Sequence, residues 1–315
     1  MSPEPLLKPR AVRPGARIAL ISPASPISRE SFDRGVAELR RLGYEPTYED
    51  DVFARTGTYL SGTPEVRAAA FMRAWADPTV GALIAVRGGY GSVQMLPLLD
   101  KNVVRRTPKV FIGYSDNTSI LSFLTCQCRI AALHGPMLDG RLENGSGGHE
   151  GYDGTSFRAL LEGASGLALE PGGLQVVRHG DAHGPLFGGT MCLLSASLGT
   201  PYGFDPPHGC VLFLEDVNER PYRLDRLLTQ LRLSGILARA SAIVFGEMRG
   251  CDEPGGGTTA LDVIGDVAAA CPGPVLVGFP SGHTTGPTWT LPLGVRVRVS
   301  TSPAPRLVIE ESPVE

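Results

Sequence analysis

No run of 18 apolar residues occurs anywhere in the 315 positions of this chain, so a helix able to cross a bilayer is not expected. Charge of one sign is also scarce. Only 19% of residues are charged and the formal net charge is −3, which leaves no basic stripe for nucleic acid or an anionic membrane. The opening segment Met1–Arg17 is interrupted at Pro3, Pro5, Pro9 and Pro14 and does not follow a signal-peptide pattern. A soluble, cytoplasmic protein is the expectation. Six cysteines are scattered along the chain (Cys126, Cys128, Cys192, Cys210, Cys251 and Cys271). Cys126 and Cys128 stand too close for the usual zinc-finger spacing and no second pair balances them, so free buried thiols are expected. His134, Asp139 and His149 also lack metal-ligand spacing. Neither a metal nor a cofactor is expected, and a chelator should leave any activity unchanged. No repeat at a fixed period is visible.

Glycine (40) and proline (27) are abundant but dispersed, which points to many short turns rather than a disordered tract. With 42% hydrophobic residues, the chain has enough for two domains of roughly 100–200 residues. Strand Arg17–Ser22, helices Glu30–Leu42 and Pro64–Ala76, strand Val80–Val86, helix Ser92–Leu99 and strand Val110–Ile112 follow one another. Such alternation reads as a parallel sheet covered on both faces. Functional loops in these sheets lie at the carboxyl ends of strands, where Arg87–Gly91 and Gly113–Asn117 fall. From Gly140 to Gly184, glycines break the pattern around a short element at Phe157–Leu161. Beyond it come helix Thr190–Leu198, strand Cys210–Leu214, helix Arg223–Ser234, strand Ala242–Phe245 and helix Ala260–Ala270. Pro274–Gly278, Thr288–Pro292, Val295–Ser300 and Arg306–Glu310 complete the chain as strands. The expected fold class is α/β. It comprises an N-terminal parallel-sheet (flavodoxin-like) domain over residues 1–140, a connecting segment over 141–183, and a smaller mixed α/β domain over 184–315.

Lys109–Thr118 is the most informative stretch. An apolar run stops at Gly113, Ser115 follows, and Asp116, Asn117 and Thr118 read as caps of a helix through Ile120–Leu124. A serine on a sharp strand-to-helix turn holds its hydroxyl clear of the sheet, beside helix N-terminal amides, as a nucleophile requires. His283 sits at the mouth of a Gly/Pro turn after an apolar strand, and Glu215 stands where Cys210–Leu214 runs out. A partly desolvated carboxylate there can orient an imidazole and raise its basicity. Plainer roles remain open: a helix cap, a solvated glutamate, a structural histidine. Order and spacing alone do not bring the three together. Gly88-Gly89 ends another strand, where glycine lets an amide approach a developing oxyanion without Cβ interference. A phosphate-loop reading of Gly89-Tyr90-Gly91 lacks the third glycine and the later acid. Asn117 stands where a G-x-S-x-G elbow has its second glycine, so a different backbone geometry is expected there.

Five blocks in order, Ala85–Ser92, Phe111–Thr118, Leu133–Met137, Leu214–Arg226 and Gly278–His283, resemble the signature blocks of the LD-carboxypeptidases. That serine peptidase family includes the muramoyltetrapeptide carboxypeptidases and the microcin C immunity peptidases. The resemblance spans Gly15 to Gly294. It implies a triad on Ser115, Glu215 and His283, a backbone oxyanion hole on Gly89 and Asp116, an active site in the cleft between the domains, and a homodimer. It further implies a serine carboxypeptidase acting on a peptide or peptidyl small molecule, releasing terminal D-alanine from murein tetrapeptides by cutting the L,D amide bond. The alternative within the family is cleavage of peptidyl or aminoacyl nucleotides. Outside it stands a non-catalytic small-molecule-binding protein, whose biological role would survive Ser115→Ala.

Arginine is the best receiver of a terminal carboxylate. Arg87, Arg220 and Arg223 lie within the blocks, although Arg223 and Arg226 are also placed to pair with Glu219 and Asp225 on a helix surface. Tyr90 and Asn117 are further candidate substrate contacts, and the Asp116 side chain is a candidate for a substrate amine. Glu219 is a second carboxylate near Glu215, so their roles are exchangeable at this level. His134, beside Gly135-Pro136, reads as structural. The nucleotide-cleaving branch is expected to stack a base on an aromatic residue after the first domain. Gly140–Gly184 offers only Tyr152 and Phe157, the two tryptophans being Trp75 and Trp289, and this favours the murein substrate.

Overall fold

The computed structural model describes residues 6–315, so the first five residues of the Met1–Arg17 segment lie outside the described residues. The first sheet is made by β1 (Arg17–Ile21), β2 (Glu45–Thr47), β3 (Val80–Ala85), β4 (Val110–Gly113) and β5 (Ala132–His134), all mainly apolar runs except the Glu-Pro-Thr edge strand β2. They run parallel in the spatial order β5-β4-β3-β1-β2. Every residue of β4 is buried, as expected of a sheet packed on both faces. Helices α1 (Arg29–Arg41), α2 (Pro64–Ala76), α3 (Lys101–Arg106) and α4 (Thr118–Ser122) interleave with these strands. Ser28 and Thr63 cap α1 and α2 by accepting the amides of Ser31 and Val66. Ser92–Leu98 forms a 3₁₀ turn instead of the expected α-helix; Pro97 lies inside it and cannot donate a backbone bond.

Helix α5 (Gly154–Glu162) and the strands β6 (Leu167–Leu169) and β7 (Gln175–Arg178) occupy the glycine-rich middle segment. Then follow β8 (Asp181–Thr190), α6 (Met191–Ser197), β9 (Cys210–Glu215), α7 (Pro221–Leu233), β10 (Ala240–Gly246), α8 (Ala260–Ala270) and β11 (Val275–Phe279). The chain ends in β12 (Leu291–Leu293), β13 (Arg296–Ser300) and β14 (Arg306–Ile309). The second sheet has the order β6-β14-β13-β8-β9-β10-β11-β7, parallel from β8 to β11 and antiparallel elsewhere. β12 leaves it and pairs antiparallel with β5 in the first sheet. Residues 280–290, which carry His283, therefore run from the end of a second-sheet strand to the start of a first-sheet strand. Strand alternation splits the core. Val211 and Phe213 of β9 join the larger cluster that contains the first sheet, whereas Cys210, Leu212 and Leu214 join the cluster with residues of α6, α7 and α8. No helix among the described residues is long and apolar enough to cross a membrane.

β8 is the element that composition hides. Gly184, Pro185, Gly188 and Gly189 lie within it, yet it is ten residues long. Gly188 has φ 143°, and a Cβ there would be driven into the carbonyl oxygen of Phe213 on β9. Only glycine permits that approach. Gly188→Ala is expected to destabilise the protein by about 3 kcal/mol, read as a lower urea midpoint. An unchanged midpoint would contradict this account of the β8–β9 contact.

Candidate active site

Ser115 stands one residue beyond β4, after Tyr114, and takes φ 61°, one of four non-glycine residues with positive φ among the described residues. Left-handed backbone costs an L-residue roughly 1–2 kcal/mol, and such strain clusters where a side chain must be aimed. Behind it, Ser115–Asn117 form a 3₁₀ turn that runs into α4. The expected capping by Asp116 and Asn117 is not found. Asp116 Oδ2 accepts from the Ser92 amide at 2.8 Å, and the Ser92 hydroxyl donates to the Asp116 carbonyl at 2.6 Å. Asn117 Nδ2 donates to the Arg87 carbonyl at 3.2 Å. Both side chains are fully buried, so they brace the turn from inside and offer nothing to a substrate from solvent. Asn117 has φ −66°, an ordinary helical value; the unusual dihedral sits on the serine itself. The Arg87–Gly91 loop packs on that serine. A Cβ at Gly88 would lie 2.9 Å from Ser115 Cβ and 3.0 Å from its Oγ. Ser25 fixes the loop by donating its amide to the Gly88 carbonyl at 3.0 Å and accepting the Tyr90 amide on its hydroxyl at 3.2 Å.

On the second sheet, Glu215 ends β9 at 1% exposure. Its Oε2 accepts from His283 Nδ1 at 2.8 Å and from the His283 amide at 3.2 Å, while Thr190 donates to Oε1. Thr190 in turn donates its amide to Thr118 Oγ1 at 3.1 Å, which ties the Glu215 shelf to the helix behind the serine. The carboxylate fits because Gly282 has no side chain; a Cβ there would lie 2.8 Å from Glu215 Cδ. Burial alone would push the Glu215 carboxyl up, but the His283 charge and hydrogen bond hold it below the usual range. Burial likewise works against a charged His283, yet the Glu215 charge and hydrogen bond outweigh it and raise the imidazole above 6.5. Asp216 is pushed up to about 6 by burial and by its neighbour Glu215. Glu219 is taken by Arg223, so Glu215 is the carboxylate that meets the imidazole.

No hydrogen bond joins Ser115 to His283; the ring of Tyr114, next to the serine, meets the His283 ring edge-on with centroids 5.3 Å apart. Serine–histidine contacts are often loose before substrate binds. The arrangement sets an imidazole bonded to a buried carboxylate against the residue that precedes the strained serine. His134 is fully buried, with Nδ1 2.9 Å from Ser281 Oγ, and burial pushes it down to about 4, so it is neutral and structural. Among the described residues no group of three or more His, Cys, Asp or Glu could hold a metal ion. Arg87 is half exposed, bonded to the Pro26 carbonyl at 3.1 Å and 3.2 Å from Asp139. Tyr90 is 44% exposed with Tyr59 beside it, ring centroids 6.0 Å apart. Arg220 pairs with Glu253, and Arg226 lies over the Tyr222 ring. Thr190 and the buried Arg141 were not singled out from sequence; one follows a glycine pair and the other sits in Leu138-Asp-Gly-Arg141, which reads like any solvated turn.

Comparison with known proteins identifies the family. The family signature of the LD-carboxypeptidase N-terminal domain matches residues 18–135, and that of the C-terminal domain matches residues 183–299. SCO6489 of Streptomyces coelicolor, a protein with a carboxypeptidase name, is 36% identical over 295 residues, covering 92% of each chain. The murein tetrapeptide carboxypeptidase of Pseudomonas aeruginosa is 33% identical over 275 residues, covering 85% of this chain and 88% of its own. The crystal structure of muramoyltetrapeptide carboxypeptidase from Oxalobacter formigenes superposes with a TM-score of 0.82 at 27% identity, covering 95% of this chain and all of that one. Two domain signatures in order, and relatives matched along nearly their full length, leave one conclusion: the chain belongs to the LD-carboxypeptidase family.

Proposed function

We propose that this protein is a serine carboxypeptidase that removes terminal D-alanine from murein tetrapeptides. The observation that carries the proposal is the 2.8 Å contact between buried Glu215 and His283, set beside the strained turn of Ser115. In this reading Ser115 Oγ attacks the carbonyl of the L,D amide bond while His283 takes its proton. His283 then returns the proton to the departing D-alanine amine, and water, activated by the same imidazole, hydrolyses the acyl-enzyme. Glu215 holds the imidazole in the required tautomer. The amides of Gly89 and Asp116 are the proposed oxyanion donors, since the loop bearing the first packs on the serine and the second follows it. The murein-acting names among the relatives support the substrate. So does the fate of the two aromatic residues that a nucleotide-cleaving enzyme would need. Tyr152 and Phe157 are both fully buried, and the Tyr152 hydroxyl donates to Glu38 at 2.6 Å. D-Alanine released from a murein tetrapeptide, measured beside hydrolysis of an aminoacyl-sulfamoyl adenosine, tests the proposal; activity on the nucleotide alone would overturn it.

Arg87 is the proposed receiver of the terminal carboxylate. It is half exposed and one residue from the glycine that abuts Ser115; all three arginines have a carboxylate partner, Asp139 for Arg87, Glu253 for Arg220 and Glu219 for Arg223, so its place beside the serine is what favours Arg87. Arg87→Met is expected to raise KM for the tetrapeptide by about 10–100-fold, the loss of one charged hydrogen-bonding partner, with a smaller change in kcat. A KM within twofold of the parent would remove Arg87 from that role. Cytoplasmic location and homodimeric assembly are further parts of the proposal, supported by the family resemblance; light scattering on the purified protein tests the second.

A further inference from the structure

We propose that Arg141 is the positioning residue for the histidine base, a buried guanidinium that pins the loop carrying His283 and so sets where the imidazole stands between Glu215 and Ser115. The inference rests on the serine-peptidase reading above and concerns a residue outside the triad. Arg141 is 4% exposed and has no carboxylate in ion-pair contact among the described residues. An arginine taken out of water without a counter-ion is costly unless its donors are satisfied. Here they are spent on five oxygens. Nη2 donates to the carbonyls of Gly282 at 2.9 Å and Thr284 at 3.1 Å. Nη1 donates to those of Gly286 at 3.1 Å and Glu150 at 3.3 Å, and Nε donates to the Tyr114 hydroxyl at 3.4 Å. Two of these carbonyls flank His283 directly and a third follows within three residues. The last partner is the neighbour of Ser115, whose ring touches the imidazole. One side chain therefore ties the turn of the nucleophile to the loop of the base.

A planar fork with fixed donor directions can span these acceptors; a lysine ammonium, a point charge with three donors, cannot. The cation also acts at a distance. His283 is faced by Glu215 and Asp216 from the end of β9, by His134 from β5, by Tyr114 and by Arg141, while Glu247 and Arg249 hold the loop at Thr285 and Thr284. Among these the two carboxylates favour the imidazolium and Arg141 opposes it. Loss of the Arg141 charge should move the titration of His283 to higher pH, and with it the acid limb of the rate profile.

The test compares Arg141→Lys and Arg141→Met with the parent, using kcat and KM on the tetrapeptide and a ¹⁵N NMR titration of the His283 imidazole. Both variants are expected to lose about 10–100-fold in kcat, the cost of a misplaced reacting group, while KM changes less than about threefold. Only Arg141→Met should shift the His283 titration upward, because Arg141→Lys keeps the charge. A kcat within twofold of the parent in both variants, or a loss carried by KM with the titration unmoved, overturns the proposal. Should neither variant fold, the unsubstituted protein decides: the Arg141 guanidinium protons are expected to exchange only with global unfolding, and fast exchange overturns the proposal. If the parent releases no D-alanine, the peptidase reading fails on its own, whereas the titration and exchange still report on Arg141.

Discussion

Alanine at position 115 is expected to abolish D-alanine release, lowering kcat by on the order of 10⁴–10⁶ while tetrapeptide binding stays within a few-fold. The side chains that follow Ser115 in its turn, and Thr190 beside Glu215, are otherwise engaged. Asp116 and Asn117 are sealed inside the turn, and Thr118 and Thr190 are bonded to each other behind Glu215. The same position carries a stability signature that a surface serine would lack. At φ 61°, alanine keeps the backbone strain and glycine relieves it. Ser115→Gly should therefore be more stable than Ser115→Ala by about 1 kcal/mol, although glycine ordinarily loses that comparison through chain entropy. Turnover by Ser115→Ala within tenfold of the parent would remove the nucleophile, and equal stability of the two variants would remove the strain.

Glu215→Gln should cut kcat by about 10³–10⁴, the scale seen when a buried carboxylate behind a histidine is made neutral. Glutamine fills the same space but brings one acceptor and one amide group to a site where Thr190, the His283 amide and the His283 ring all donate. A donor must then face a donor, which should destabilise the protein by about 1–3 kcal/mol in urea titration. The pH profile should move as well. The Glu215 charge and hydrogen bond hold His283 above its ordinary value, so removing the charge lets burial prevail and shifts the acid limb to lower pH. Arg141→Met shifts it the other way, and that opposition separates the two contributions. An acid limb that stays put in Glu215→Gln would show that another group governs the profile.

The three-residue strands β2 and β5 gave no local pattern, but β1, β3 and β4 were readable as apolar runs bounded by turn residues, and α1 because Phe32, Val36, Leu39 and Leu42 recur at helical spacing before Gly43. β8 was not, since the residues that let it lie against β9 are glycines that propensity counts against a strand. The same blindness explains the caps assigned to Asp116 and Asn117: small polar residues before a helix usually face outward, and here the Arg87–Ser92 loop claims them from within. Ser115, Glu215 and His283 could be singled out because each stands where an apolar strand ends. The contact of Glu215 with His283, and of His283 with the ring beside Ser115, joins distant stretches of chain that no local pattern links. Arg141 was illegible for a related reason. An arginine after Asp139-Gly140 looks solvated until residues 282–286, far along the chain, fold over it.

The stretch between β11 and β12 is anchored at one end in each sheet. Any shear of one sheet over the other is thus transmitted along this tether to the imidazole, while the serine stays with its own layer. Under the proposed mechanism, turnover becomes a gauge of how the two layers are seated. Substitutions that loosen that seating from afar will register as slowed turnover before they register as lost fold.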